Sequence, residues 1–230
     1  MGESKKTREP QYNASLEIAQ NVGIQRFGLM SNQGWHDDPR RLTFTCSRYK
    51  FVSKMLSGKS HVLEVGCADA FATRIVLQEV KSITAIDFDP VFVEDARRNM
   101  STRWRFEVLE HDILKSVVPG RFDGAFSLDV IEHIRGSQED VYLRHIIQSL
   151  TEDAVLIIGT PSLESQQYAS PQSREGHINC KSADQLKELL GRYFHNIFLF
   201  SMNDEVVHTG FYPMAHYLFA VCCMKKAAGR

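Results

Sequence analysis

The chain has 230 residues, 43% hydrophobic and 24% charged, which fits one large folded domain and excludes a disordered chain. Lys and Arg total 27 against 28 Asp and Glu, a formal net charge of -1, so the footprint of a nucleic-acid binder is missing and no such partner is expected. No apolar run reaches the ~20 residues of a membrane helix, residues 1–11 hold no apolar signal core, and the five cysteines form no C-x-x-C pair; a reduced cytoplasmic protein without a membrane partner is expected.

Residues 1–13 are charged and non-periodic and read as a loose tail. Leu16, Ile18, Ala19 and Val22 suggest a short helix, after which Gly23, Gly28 and Gly34 argue against long regular structure. Phe27, Trp35 and Tyr49 read as packing residues. Residues 1–40 are therefore taken as a tail able to form a lid, and residues 41–230 as the main domain.

Arg41–Leu56 reads as an amphipathic helix with Phe44, Phe51, Val52, Met55 and Leu56 on its apolar face. His61–Val65 is a short apolar strand and Phe71–Val80 a helix. Ile83–Asp87 is a second strand, and Pro90 suits the first turn of the next helix. Trp104–Leu109 and Phe122–Leu128 are the third and fourth strands. Ser137 can cap a helix carrying Val141, Ile146, Ile147 and Leu150. Ala154–Gly159 is a fifth strand, and Ser182 with Gln185 makes a capping box for a helix ending at Gly191. Asn196–Phe200 and Tyr217–Cys223 close the chain as two strands with no helix between them. Such alternation implies a mostly parallel α/β sheet with helices on both faces, ending in an antiparallel pair.

Ligands of open α/β sheets bind beyond the carboxyl ends of the strands. Four segments fall there: Glu64-Val-Gly66-Cys67-Ala68-Asp69-Ala70, Asp87-Phe88-Asp89, His111-Asp112-Ile113 and Asp129-Val-Ile-Glu132-His133. Gly66 leaves room for a ligand, and the helix behind it offers N–H groups to an anion. Asp87 offers two acceptor oxygens to the two hydroxyls of a ribose. Asp112 can accept from a purine amino group. Asp69, Asp89 and Glu132 have plainer readings as caps or surface pairs; for Asp89, capping the Pro90 helix is favoured.

These four motifs, in this order, resemble those of class I S-adenosylmethionine-dependent methyltransferases. Gly159-Thr-Pro161 and Gly176-His177-Ile-Asn179 are similar to the branch with ubiquinone-type and sugar O-methyltransferases. The resemblance spans residues 60–225 and implies a seven-stranded Rossmann-like sheet of order 3-2-1-4-5-7-6, its last strand antiparallel. It implies S-adenosylmethionine as cofactor, held by Glu64, Gly66, Cys67, Ala68, Asp87, Phe88, His111, Asp112, Ile113 and Asp129. Asp112 would lie near the adenine and Asp129 near the methionine part. The first turn departs from the family's Gly-x-Gly-x-Gly, with Ala68 and Ala70 at positions where positive φ disfavours alanine.

The expected activity is methyl transfer to a small polar acceptor, with a hydroxyl of a sugar or glycan precursor following from the branch alone. The competing readings are a nicotinamide-dependent Rossmann oxidoreductase and a cofactor-binding domain that has lost catalysis. The first would want more turn glycines than Gly66 and a Tyr-x-x-x-Lys pair, which is absent. Histidine is the natural base near neutral pH, so His133, then His177, then His208 are the catalytic candidates. The loop 203–212 is expected to arch over the ligand end. No metal is expected, since no His-Glu-x-x-His or tight ligand spacing occurs. A monomer or homodimer is expected, and Gly66→Val is expected to abolish binding with little loss of fold.

Overall fold

The central strands are buried along almost their whole length, mostly by apolar residues, and such continuous burial is what a parallel sheet covered on both faces requires. The computed structural model describes residues 6–227. Strands β1 (Val62–Val65), β2 (Ile83–Asp87), β3 (Glu107–Glu110), β4 (Phe122–Leu128) and β5 (Leu150–Pro161) are mutually parallel. They are followed by β6 (Phe194–Asn203), β7 (Val206–His208) and β8 (Tyr217–Lys225). The order across the sheet is β3-β2-β1-β4-β5-β8-β6-β7, with β8 antiparallel to both neighbours.

This is the expected order with one addition. Eight strands form rather than seven, because Val206–His208 folds back on β6 in antiparallel register, Ser201 opposite His208 and Asn203 opposite Val206. Three residues of the loop expected to arch over the ligand end, Val206–His208, are thus taken up as an edge strand.

Successive side chains along a strand point to opposite faces, and the core divides accordingly. Leu63, Ile86, Leu156, Ile158, Leu218 and Ala220 pack on one face with helices α6 (Glu139–Gln148) and α8 (Ala183–Gly191), through Tyr142, Leu143, Ile146, Leu186 and Leu190. Val62, Ala85, Ile157, Phe219 and Val221 pack on the other with α3 (Arg40–Met55), α4 (Thr73–Leu77) and α5 (Pro90–Arg98), through Val52, Val76, Val93 and Ala96.

Local signals set several helix ends. Asp89 caps α5, its carboxylate accepting from the Val91 N–H, with Pro90 in the first turn. Ser182 and Gln185 form the full capping box of α8. Ser137 does not cap α6; it lies in a 3-10 turn, Gly136–Gln138, that leads into the helix. The helix expected over 71–80 shrinks to the five residues of α4. Before α3, a 3-10 turn at Pro10–Tyr12 runs into α1 (Asn13–Asn21), and α2 (Leu29–Asp37) continues through Gly34, so that glycine does not interrupt it. The first five residues of the expected tail lie outside the described residues. Among the described residues, no helix is long and apolar enough to cross a membrane.

Candidate functional site

After β1 the backbone turns through three left-handed residues, Gly66 (φ 79°), Ala68 (φ 46°) and Ala70 (φ 51°). At the two alanines the left-handed conformation carries a strain of about 1–2 kcal/mol each. Strain of this kind persists where a ligand or a neighbouring turn over-determines the backbone. For Gly66 the neighbour is visible: a Cβ there would collide with the Val130 side chain in the turn after β4. Gly66 therefore lets two turns pack together, so a valine at this position is expected to disturb the fold as well as the site, where the sequence alone suggests little loss of fold.

Asp87, at the end of β2, accepts from the Ala68 N–H through Oδ2 (2.8 Å) and from the Asp89 N–H through Oδ1 (3.0 Å). Each carboxylate oxygen has capacity for a second donor, so the group is oriented but not saturated. Phe88 beside it is 71% exposed. His111 donates its N–H to the Asp87 carbonyl (2.8 Å), which aligns the third segment with the second. Asp112 accepts from the Leu114 N–H (3.0 Å) and pairs with Lys115 (3.2 Å). Ile113 is buried, and its carbonyl bonds the His145 ring.

Glu64 and Cys67 face inward. Glu64 accepts from the Tyr49 hydroxyl and the Thr73 hydroxyl, both at 2.6 Å, and burial pushes its carboxyl up to about 7. Burial likewise pushes the Cys67 thiol up. The anion role expected of the helix behind the turn is not supported, since α4 is short and the Phe71 N–H is already taken by Asp69 (3.1 Å). Asp69 also holds the Ser31 N–H (2.7 Å), and Asp95 holds the Leu29 N–H (2.7 Å). Two carboxylates thus tie the start of α2 over the first turn, and Gly28 is required because a Cβ would collide with Asp69.

Asp129 lies in a left-handed conformation (φ 56°) after β4 and is 40% exposed at its side chain. Both its oxygens accept from Arg48, at 2.8 and 3.0 Å. The Arg48 guanidinium stacks 3.9 Å from the centroid of the Tyr217 ring, an arrangement that cation–π attraction favours. Sequence reasoning missed Arg48, Thr73, Ser31 and Tyr217, and took Tyr49 as packing alone; they carry no motif, and only the packing of α3 and β8 brings Arg48, Tyr49 and Tyr217 to the site.

Glu132 is fully buried, not a surface residue. Its Oε2 accepts from Thr160 (3.1 Å), while Oε1 is buried without a partner. Burial, reinforced by the Asp129 charge, pushes its carboxyl well up. His133 stands beside it, with its Nδ1 2.8 Å from the Gly176 carbonyl. The His177 ring lies 5.2 Å from the His133 ring, centroid to centroid, and its Nδ1 is 2.9 Å from Gln166 Oε1. Burial and the neighbouring His133 push the His177 pKa down.

The segment bearing His177 is pinned there. The Asn179 N–H donates to the Glu132 carbonyl (2.9 Å), its amide donates to the Ile134 carbonyl (2.7 Å), and Lys181 pairs with Glu139. His133 and His177 therefore converge as expected. His208 engages both ring nitrogens within its own hairpin, with Asn203 Oδ1 and the Gly210 N–H, each at 2.9 Å.

A family model described as a methyltransferase domain matches residues 35–193. The chain is 24% identical over 165 residues to the mitochondrial ubiquinone biosynthesis O-methyltransferase of Schizosaccharomyces pombe, covering 66% of this chain and 58% of that protein. It thus spans little more than half of that relative. Among solved structures it is similar to the N-methyltransferase NodS of Bradyrhizobium japonicum WM9, in complex with S-adenosyl-L-homocysteine. That match has 19% identity and a TM-score of 0.63, covering 94% of this chain and 99% of NodS. It is also similar to the small RNA methyltransferase HEN1, at 16% identity and a TM-score of 0.64, covering 78% of this chain and 26% of that one.

Proposed function

From the premise that this chain belongs to the methyltransferase domain family of class I S-adenosylmethionine-dependent enzymes, we propose that it methylates a hydroxyl of a small polar acceptor, a sugar or glycan precursor in the first instance. Membership sets aside the nicotinamide-dependent reading. When bound, S-adenosylmethionine supplies a methyl group on a sulfonium, a leaving group that needs no acid.

The chain's own residues supply placement. Asp87, with acceptor capacity left on both oxygens, would take the ribose hydroxyls. Phe88 would cover a face of the nucleoside, and Asp112 and Ile113 would border the base. Gly66, Ala68 and Asp129 would line the methionine end, with Cys67 and Glu64 supporting the turn from behind and His111 keeping the neighbouring strand end in register. The N-terminal segment tied down by Asp69 and Asp95 would act as the lid. Holding an acceptor oxygen in line with the methyl can supply on the order of 7–11 kcal/mol, and a base for the hydroxyl proton adds to this.

The observation that carries the reading is the juxtaposition of strained Ala68 and Ala70 with the oriented Asp87 carboxylate and the His133–His177 pair at one end of the sheet. The test is methyl transfer from labelled S-adenosylmethionine to a panel of nucleotide-sugars and phenols. Turnover on one class, lost in His133→Ala with cofactor affinity kept, supports it. No turnover on any member, with cofactor bound, points instead to a domain that has lost catalysis. Among the bases, His133 comes first and His177 second. His208 is third, because its ring must leave Asn203 and Gly210 to act.

A further inference from the structure

We propose that the acceptor pocket has a second subsite, beyond the space at His177, that binds a small ring carrying an ammonium group. Two cavities open at the carboxyl end of β5. One, of about 240 Å³, is lined by Ser165, Gln166, Tyr168, His177 and His216. The other, of about 480 Å³, is lined by Glu164, Asp184, Thr209, Phe211, Tyr212 and Pro213. The same two segments bound both, the 3-10 turn Glu164–Tyr168 after β5 and the residues 209–216 that lead into β8. The pairing of β5 with β8, Pro161 opposite Tyr217, sets these segments side by side. The larger cavity falls within the roughly 300–1,000 Å³ of small-molecule sites, and the smaller falls below it. An acceptor of more than one ring, with its hydroxyl at His177, therefore runs into the larger cavity.

The larger cavity has the chemistry of a cation site with a ring platform. Glu164 and Asp184 bring two carboxylates to its wall, and no Lys, Arg or His lines it. Neither acid has an ion-pair partner among the described residues. Oε2 of Glu164 is buried with no hydrogen-bond partner, a costly state for a carboxylate oxygen unless a donor completes it. Phe211, 70% exposed, and Tyr212 supply aromatic rings. The Tyr212 hydroxyl donates to the Leu199 carbonyl (3.3 Å), which fixes that ring.

An aromatic face attracts a cation and covers the apolar side of a ring. An ammonium supplies three donors and a positive charge to two carboxylates that have neither. An anionic group is disfavoured there by like charge. Glu164 and Asp184 are thus specificity residues; no bond forms or breaks in this cavity. The link to the methyl acceptor rests on the methyltransferase reading; the binding of the cation does not.

The experiment measures binding of glucosamine, N-acetylglucosamine and glucose to the whole chain by saturation-transfer NMR, slightly below neutral pH and at low salt. Glucosamine is expected to bind, and its two uncharged counterparts to bind roughly tenfold more weakly, the lower end for hydrogen bonds to charged groups. Glu164→Gln and Asp184→Asn should each weaken glucosamine by a similar factor, added salt should weaken it further, and Glu188→Gln, at an exposed position of α8, should change nothing. For aminated acceptors, Glu164→Gln should raise KM and leave kcat unchanged. S-adenosylhomocysteine affinity is measured in parallel as the check on folding and on the cofactor reading. Equal binding of the three sugars, or glucosamine binding unchanged in a folded Glu164→Gln/Asp184→Asn double variant, overturns the subsite. Glucosamine binding without S-adenosylhomocysteine binding leaves the cation site standing and removes the methyltransferase reading.

Discussion

At the scale of single residues, the first turn stores strain that can be relieved. Ala68 and Ala70 both sit at positive φ. Replacing either by glycine removes about 1–2 kcal/mol of steric cost and adds roughly 0.5–1 kcal/mol of chain entropy to be lost on folding. Ala68→Gly is therefore expected to raise stability in urea denaturation by about 0.5–1 kcal/mol, whereas at Ala70, whose methyl is buried in the core, the lost packing offsets the relief. A loss of stability in Ala68→Gly would mean that its methyl group is packed rather than tolerated. Gly66→Val should instead fold poorly, with a melting transition well below that of the wild type, because the new side chain meets Val130 in a left-handed turn.

At the scale of elements, features written in adjacent residues were legible and features made by packing were not. Asp89 with Pro90, and Ser182 with Gln185, announce two helix starts by local chemistry, and both form as the sequence implies. The ends of β2 and β4 follow from their apolar runs. Strand β7 escaped because Val206-Val207-His208 is too short to carry a period. The meeting of His177 with His133 was anticipated, but the bonds that pin it there, from Asn179 and Lys181, were not, because they join segments far apart in the chain. The two-carboxylate clamp on α2 was equally invisible, since Asp69 and Asp95 look like ordinary turn and helix acids. That clamp is testable away from the cofactor site. Asp95→Ala leaves the Leu29 N–H without its carboxylate partner, a loss of about 1.5–3 kcal/mol borne mainly by α2. Limited proteolysis should then cut residues 28–38 faster while the remaining fragment stays resistant. Unchanged cleavage would show that Asp69 alone holds the segment.

At the scale of the whole molecule, buried acids link the fold to pH, and Glu64 is the clearest case. The Glu64 carboxyl titrates near 7 when folded, against 4.5 for the ordinary group, chiefly because it is buried. Between those values the folded state holds a proton that the unfolded state has released. Stability from this group is therefore full below about pH 4.5 and falls as pH rises toward 7, by on the order of 3 kcal/mol in all. Glu64→Gln, which cannot ionise, should lose this component, so its stability relative to the wild type should be better at pH 8 than at pH 5 in urea titrations. An identical difference at both pH values would remove Glu64 as the source.

The central claim for the molecule is that the carboxyl ends of β1 and β2 hold the adenosyl cofactor through Asp87. Calorimetric titration of S-adenosylmethionine into the wild type and a folded Asp87→Ala variant tests it most directly. One molecule should bind per chain, and the variant should bind about 10–150-fold more weakly, as expected for charge-assisted hydrogen bonds of ~1.5–3 kcal/mol. No binding to the wild type, or equal affinity in the two proteins, would contradict the account.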